Sequence, residues 1–205
     1  MRKISFSLIP LLACAVAAFG QNRPVAAQDA RAVPEFLNRA IIYQVWMRSF
    51  TPEGTLGATA SHLPYIADLG ATIVYLSPLN VHGYPSVFGP STPYEIKDYD
   101  RIDPEYGSEA DLKALVEQAH KLGLKVIMDI VYAHSANDNV LLYRPGFYQR
   151  GQDGKLTMSR WHTPMPDFKN PEVHEFFRNN MLHWVKDVGI DGFRADVAGG
   201  VPTDF

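Results

Sequence analysis

The sequence predicts an α/β fold built on a parallel sheet, and three observations lead there. Near-continuous apolar runs of strand length recur at 40–45, 72–76 and 125–131, the pattern of strands covered on both faces. Between them lie stretches whose apolar residues repeat at helical spacing. Each such stretch stops at a glycine (Gly70, Gly123, Gly189), after which a strand follows. Alternating strands and helices predict parallel strands joined by right-handed crossovers. Alternation by itself fits an open sheet and a closed barrel equally.

Taken in order, the chain begins with Arg2 and Lys3, an apolar run over 4–19 and then small residues. That is the build of a secretory signal peptide, too short for a typical membrane span. We assign it to 1–27, with cleavage near Ala17-Ala18 or after Val25-Ala26-Ala27. Cys14, the only cysteine, is a candidate lipid attachment site, and a chain without it forms no disulfides. Losing 1–27 removes Arg2, Lys3 and Arg23 and no acids. It leaves 16 basic residues against 22 acidic ones, so the formal charge goes from −3 to −6. The expected product is exported, periplasmic or extracellular, with no membrane contact beyond that anchor. Nothing in it is basic enough for nucleic acid, and its acidic balance suits a neutral polymer and not an anionic one.

Residues 28–134 hold the first three strands. A polar lead-in precedes the first at 40–45, and Thr51-Pro52-Glu53-Gly54 makes a turn. A helix is expected over 58–69, either kinked by Pro64 or starting later than that. The second strand is 72–76, and a loop rich in Gly, Pro, Ser and Tyr runs over 78–106. A loop of that length in a compact domain is usually functional. Ser108 caps the next helix, with Asp111 at the capping-box position, and Leu112, Leu115, Val116, Ala119 and Leu122 form its apolar face. The third strand is 125–131. Residues 135–166 show no period and read as an excursion. In 167–205, Asn170-Pro171 starts a helix whose stripe is Val173, Phe176, Phe177, Met181, Trp184, Val185 and Val188. The fourth strand follows Gly189.

That fourth strand carries the chemistry: Gly189-Ile190-Asp191-Gly192-Phe193-Arg194-Ala195-Asp196. Side chains alternate along a strand, so Arg194 and Asp196 point the same way. A neighbouring guanidinium favours the charged form of a carboxyl group. An oriented, ionised Asp at a strand end suits a covalent glycosyl nucleophile. A buried structural ion pair has the same spacing, and spacing leaves both readings open.

This segment resembles the strand-four signature D-G-F-R-x-D of the alpha-amylase superfamily, glycoside hydrolase family 13. Three further stretches are similar to that family's motifs, in its order. They are 70–78 (its strand two), Tyr94, Asp98 and Tyr99 with Ile102-Asp103-Pro104 and Gly107-Ser108 (its loop motif), and Asp129-Ile130-Val131-Tyr132-Ala133-His134 (its strand three). The resemblance implies a (β/α)8 TIM-type barrel, of which this chain holds about the first four β/α units. Such barrels need about 250 residues, so the expectation is the N-terminal half of a longer enzyme.

The resemblance makes Asp196 the nucleophile of a retaining mechanism and Arg194 the arginine that keeps it ionised. It makes His134 a donor to sugar hydroxyls and Tyr94 an aromatic platform beneath the same sugar. By themselves, His134 reads as a satisfied polar residue and Tyr94 as packing. Asp129 and Asp98 read as structural, and Trp161 as a core or lid residue or a further platform. Met165-Pro166-Asp167-Phe168 is similar to the family's fifth motif, with Lys169 in place of its last polar residue.

The implied function is a retaining α-glucan hydrolase acting on starch, maltodextrin or maltooligosaccharides. Transglycosylase or isomerase relatives share the nucleophile, and a non-catalytic carbohydrate-binding relative would have no reason to keep the Arg194–Asp196 pair. The acid/base Glu and a third carboxylate that the family uses belong to later strands. No cofactor is expected. The family's usual calcium site is degraded, because Ala133 stands where many members carry an Asn ligand and Gly200 where many carry a histidine. A methyl group cannot ligate a cation that wants oxygen, and Asp167 alone is not a site.

Overall fold

A computed structural model describes residues 32–84 and 92–205. The leader expected over 1–27, both expected cleavage positions and Cys14 lie outside the described residues. After a 3-10 turn at Glu35–Arg39, β1 (Ile42–Val45) leads into a single helical turn, α1 (Met47–Phe50). Next come α2 (Leu56–Ser61), α3 (Leu63–Asp68), β2 (Ile73–Leu76), β3 (Asn80–His82), β4 (Ile96–Ile102), α4 (Glu109–Lys121), β5 (Lys125–Ile130), α5 (Pro171–His183) and β6 (Gly192–Ala195).

Four strands form one parallel sheet in the order β1-β2-β5-β6, the succession that consecutive barrel strands make. Alternate residues divide its two faces. Val74 and Leu76 of β2, with Val126 and Met128 of β5, point into the main core. There they meet Leu56, Leu63 and Ile66 from α2 and α3, Leu112, Leu115, Val116 and Ala119 from α4, and Trp184 and Val188. The other face carries Tyr75, Asp129 and Arg194, and the register pairs Asp129 with Arg194 directly.

Local signals placed the helix ends. Ser108 and Asp111 make the full reciprocal capping box on α4. Gly123 follows that helix at φ +76°, a left-handed conformation that costs glycine little. Asn170 caps α5, its side chain accepting from Glu172 N–H, with Pro171 in the first turn. A π-helical turn, Trp184–Val188, extends α5 to Gly189 at φ +91°.

The structure corrects three expectations. The helix expected over 58–69 is two short helices that meet at His62. Thr55 caps the first through Ala58 N–H, and Pro64 sits in the first turn of the second, where no donor is needed. The stretch 78–106 contains an antiparallel pair, β3 with β4, whose register shifts twice. Leu122 and Val185 are 39% and 40% exposed, at the edges of their stripes. In β1, Ile42 is 55% exposed in this chain, on the face away from the helices.

The excursion 135–166 has no regular element, only isolated bridges such as Tyr148 with Pro166. A second core anchors it. Phe147 and Tyr148 pack with Tyr99 of β4, Tyr132 and Phe177 of α5, and the Tyr132 and Phe177 rings stack at 4.2 Å. Asn180 interrupts the apolar stripe of α5, yet it is buried and satisfied. It donates to Tyr99 O and Asp100 Oδ1, both at 2.8 Å, and accepts from Tyr132 Oη at 2.7 Å. A buried amide is tolerated when its bonds are made.

Candidate active site

The polar face of the sheet converges on Asp129, which is wholly buried. Its carboxylate accepts from Tyr75 Oη, from Tyr94 Oη at 3.1 Å, and from Arg194 Nη1 at 3.1 Å to each oxygen. The same Nη1 donates to Asp196 Oδ1 at 2.7 Å. Asp129 and Asp196 thus share one guanidinium nitrogen. Burial pushes the Asp129 carboxyl above its ordinary range, against the opposing pull of Tyr75, Arg194 and Tyr94. The Arg194 guanidinium loses some solvation, but its bonds to Asp129 and Asp196 hold its proton more firmly than usual.

Asp196 lies one residue past β6. Its N–H donates to Ile130 O at 2.9 Å, so the ladder fixes its backbone where the sheet ends. Val197 follows at φ +49°, an uncommon conformation for a β-branched residue, and turns the chain away. Backbone strain of this kind tends to cluster at functional sites. His162 at φ +59° is the other non-glycine residue with positive φ among the described residues.

A cavity of about 430 Å³ opens at this end of the sheet, and Tyr94, His134 and Asp196 all line it. The structure therefore brings three of the four sequence-predicted residues to one hollow. The fourth, Arg194, holds Asp196 through its guanidinium. Thr92, Glu95, Arg160, Trp161, Thr163 and Val197 complete the wall.

Each side chain has a positional cause. Tyr94 sits just before β4, where its N–H bonds Thr92 Oγ1 at 3.3 Å. Its ring stacks on Trp46 at 6.1 Å and 22°, and its hydroxyl is tied to Asp129. Burial and the Asp129 carboxylate push that phenol up to about 12, so the ring stays neutral. His134 is buried beyond the end of β5, its carbonyl accepting from Tyr99 Oη at 3.2 Å. Burial lowers its imidazole below the ordinary value, partly offset by Asp196, so at neutral pH the ring is an uncharged donor and acceptor. Its Nδ1 has no hydrogen-bond partner among the described residues. Trp161 is a half-buried wall residue, tilted against His134 at 5.1 Å, with the Arg160 guanidinium 4.2 Å over its ring.

Sequence reasoning missed Tyr75, Trp46, Glu95 and Arg160 as parts of this neighbourhood. Asp129, read from the sequence as structural, joins Tyr94 to the Arg194–Asp196 pair through hydrogen bonds. Strand register was the signal that could have shown this, because Asp129 and Arg194 face each other only once β5 and β6 are aligned.

Neither Ala133 nor Gly200, at the family's usual calcium positions, brings a side-chain oxygen to that ion. Ala133 offers a buried methyl group, and Gly200 packs so close that a β-carbon on it would lie 2.9 Å from that methyl. Asp167 is engaged in its own turn, accepting from Lys169 N–H at 3.1 Å. A hard cation needs six or more oxygens.

The family model described as alpha amylase, catalytic domain, matches residues 25–145. A second, the glycosyl hydrolases family 31 TIM-barrel domain, matches residues 94–203. An alpha-glucosidase of Pediococcus pentosaceus is 29% identical over 199 residues, covering 78% of this chain and 35% of that protein. A 1,4-alpha-glucan branching enzyme of Streptomyces coelicolor is 34% identical over 164 residues, covering 78% and 22%. The crystal structure of an alpha-amylase from Lactobacillus plantarum matches with a TM-score of 0.77 at 38% identity, over 82% of this chain and 40% of that one. The chain spans about a third or less of the length of these two curated relatives.

Proposed function

The chain belongs to the alpha-amylase family, and we propose that the whole protein is a retaining glycoside hydrolase acting on α-glucans such as starch, maltodextrin and maltooligosaccharides. Its strands are then the first four of a (β/α)8 barrel, and the cavity lies where such barrels place chemistry, at the C-terminal ends of strands. One observation carries the reading: the Asp196 carboxylate stands at the exit of β6, bonded to Arg194 Nη1 at 2.7 Å, in a cavity it shares with Tyr94 and His134.

In this reading Arg194 takes Oδ1 of Asp196 and leaves Oδ2 to attack the anomeric carbon. The glycosidic C–O bond breaks as the ester forms, and the departing oxygen takes a proton from a general acid. The resemblance supplies that acid as a glutamic acid at the end of the next barrel strand, about 5 Å from the nucleophile. Water then gives its hydroxyl to the anomeric carbon and its proton to that glutamate, which cleaves the ester and restores both the Asp196 carboxylate and the acid. Tyr94 offers a neutral ring for the sugar's apolar face, and His134 hydrogen-bonds its hydroxyls. A transglycosylase replaces that water with a sugar hydroxyl, and the likeness to a branching enzyme supports this second reading. Products longer than the substrate would favour it.

The test is Asp196→Asn in the whole protein. The amide keeps the shape and loses the charge. Turnover of maltooligosaccharide should fall by about 10⁴–10⁶-fold while binding persists and the thermal transition stays in place. A variant that keeps more than a few per cent of activity defeats the proposal. We also propose export, on the leader-like 1–27. The mature N-terminus of secreted protein, read by mass spectrometry, checks this, and an uncleaved Met1 in protein that stays inside the cell contradicts it.

A further inference from the structure

We propose that Ala133 and Gly200 form a metal-free clasp that holds the exits of β5 and β6 together and so positions His134 and Asp196. The two residues stand at matching places. Ala133 immediately precedes His134, and Gly200 follows Asp196 by four residues.

The chain between Asp196 and Gly200 is folded back tightly. Val197, at φ +49° and ψ +42°, starts the reversal. Gly200 N–H then bonds Val197 O at 2.8 Å, and Val201 N–H bonds Ala198 O at 3.1 Å. The reversal brings the Gly200 backbone onto the Ala133 methyl. A β-carbon at 200 would stand 2.9 Å from the Ala133 β-carbon and 3.6 Å from Val197 Cγ1, and the first distance is closer than carbon atoms pack. Ala133 cannot yield, since its β-carbon is fixed to backbone just beyond β5 and is 5% exposed.

A left-handed valine is strained and persists only where its surroundings over-determine it. The ladder bond from Asp196 N–H to Ile130 O holds one side of it, and the contact with Ala133 holds the other. Asp196 thus sits between two fixed points, and His134 is joined to one of them through the adjacent peptide. Neither clasp residue offers a side-chain oxygen, so the contact that closes this junction is between carbon atoms and not through a side-chain ligand. The effect on turnover rests on the proposed function, whereas the effect on folding does not.

The experiment compares Gly200→Ala, Ala133→Gly and the double variant in the whole protein. It reads kcat and KM on a maltooligosaccharide and the melting temperature, each in chelator and in excess calcium. Gly200→Ala should lower kcat by about 10–100-fold, the cost of a displacement of about 1 Å at a reacting centre. KM should change by less than about threefold, and the melting temperature should fall. Adding Ala133→Gly opens the space, so the double variant should recover most of both losses, equally in chelator and in calcium. A residue that only filled space would move the melting temperature and leave kcat unchanged.

A double variant no better than Gly200→Ala, or a recovery seen only with calcium, overturns the clasp. So does a Gly200→Ala protein that matches wild type in both readouts. If Gly200→Ala does not fold, the double variant is read directly, and its failure to fold also overturns the proposal. If the protein turns over no glucan at all, the melting-temperature arm still decides whether Ala133 and Gly200 pack against each other as a clasp, the positioning role falls, and the loss of turnover counts against the function.

Discussion

The two ends of β6 each carry an aspartate, and the structure treats them in opposite ways. Asp191, just before the strand, has both oxygens occupied. Oδ1 accepts from Lys125 Nζ at 2.8 Å, and Oδ2 accepts from Val126 N–H and contacts His120 Nε2, both at 2.8 Å. Although its partial burial opposes this, Lys125, the Val126 amide and His120 hold the Asp191 carboxyl below its usual range. Asp196, just after the strand, has one oxygen on Arg194, no hydrogen bond to the other among the described residues, and a place in the cavity wall. Saturated bonds stabilise; an unsaturated oxygen can react. Barrels divide labour along their strands in this way, with stability at the N-terminal ends and chemistry at the C-terminal ends.

Substitution at the two ends should therefore break different properties. Arg194→Gln removes the charge that orients Asp196 and leaves buried Asp129 with one donor fewer. We expect kcat to fall by about 10²–10³-fold, the scale for losing one preorganised donor, with the melting temperature moving less than the turnover. An Arg194→Gln protein with wild-type kcat would remove Arg194 from the account.

Asp191→Asn should do the reverse. It discards ion pairs that are partly exposed, so the loss should be about 1 kcal/mol, a melting-temperature drop of about 2–4 °C, with kcat unchanged. The pH dependence has a defined sign. The Asp191 carboxyl is depressed in the folded state, so its contribution is complete above the unfolded value of about 3.9. That contribution disappears as pH falls through the folded value. The stability gap between wild type and variant should be full at pH 6–7 and close in strong acid. A gap that widens on acidification contradicts the assignment.

The smallest effect is expected at Tyr94→Phe. The ring and its stacking on Trp46 remain, while one hydrogen bond to Asp129 is lost, worth about 1 kcal/mol. We expect a few-fold loss in kcat/KM, measured beside Tyr94→Ala, which removes the platform and should cost far more. Equal losses in the two variants would mean that the hydroxyl matters and the ring does not.

What the sequence disclosed and what it withheld divide along one physical line. The capping box at Ser108 and Asp111, the Asn170 cap and the shared face of Arg194 and Asp196 were all legible, because each depends on residues within three positions of one another. The convergence of Tyr75, Tyr94 and Arg194 on Asp129 was not, since its bonds span 54, 35 and 65 residues. Only strand register brings them together. The role of Asn180 was equally hidden, because its partners lie on β4, at Tyr132 and at Trp184. The β3–β4 pair was hidden by two register shifts, which break the alternation that marks a strand. The fold was legible because hydrophobic period is local. The residues of the site were legible as separate motifs, and their contacts with one another required the sheet.

The measurement that tests the central claim most directly is covalent trapping. A 5-fluoro glycosyl fluoride slows both steps, and its good leaving group keeps ester formation faster than release, so the attacking oxygen keeps its sugar. Peptide mapping of the labelled whole protein should place one sugar on the peptide that contains Asp196, and Asp196→Asn should abolish the label. A label on any other carboxylate, or none while the donor is turned over, contradicts the assignment of Asp196 as nucleophile.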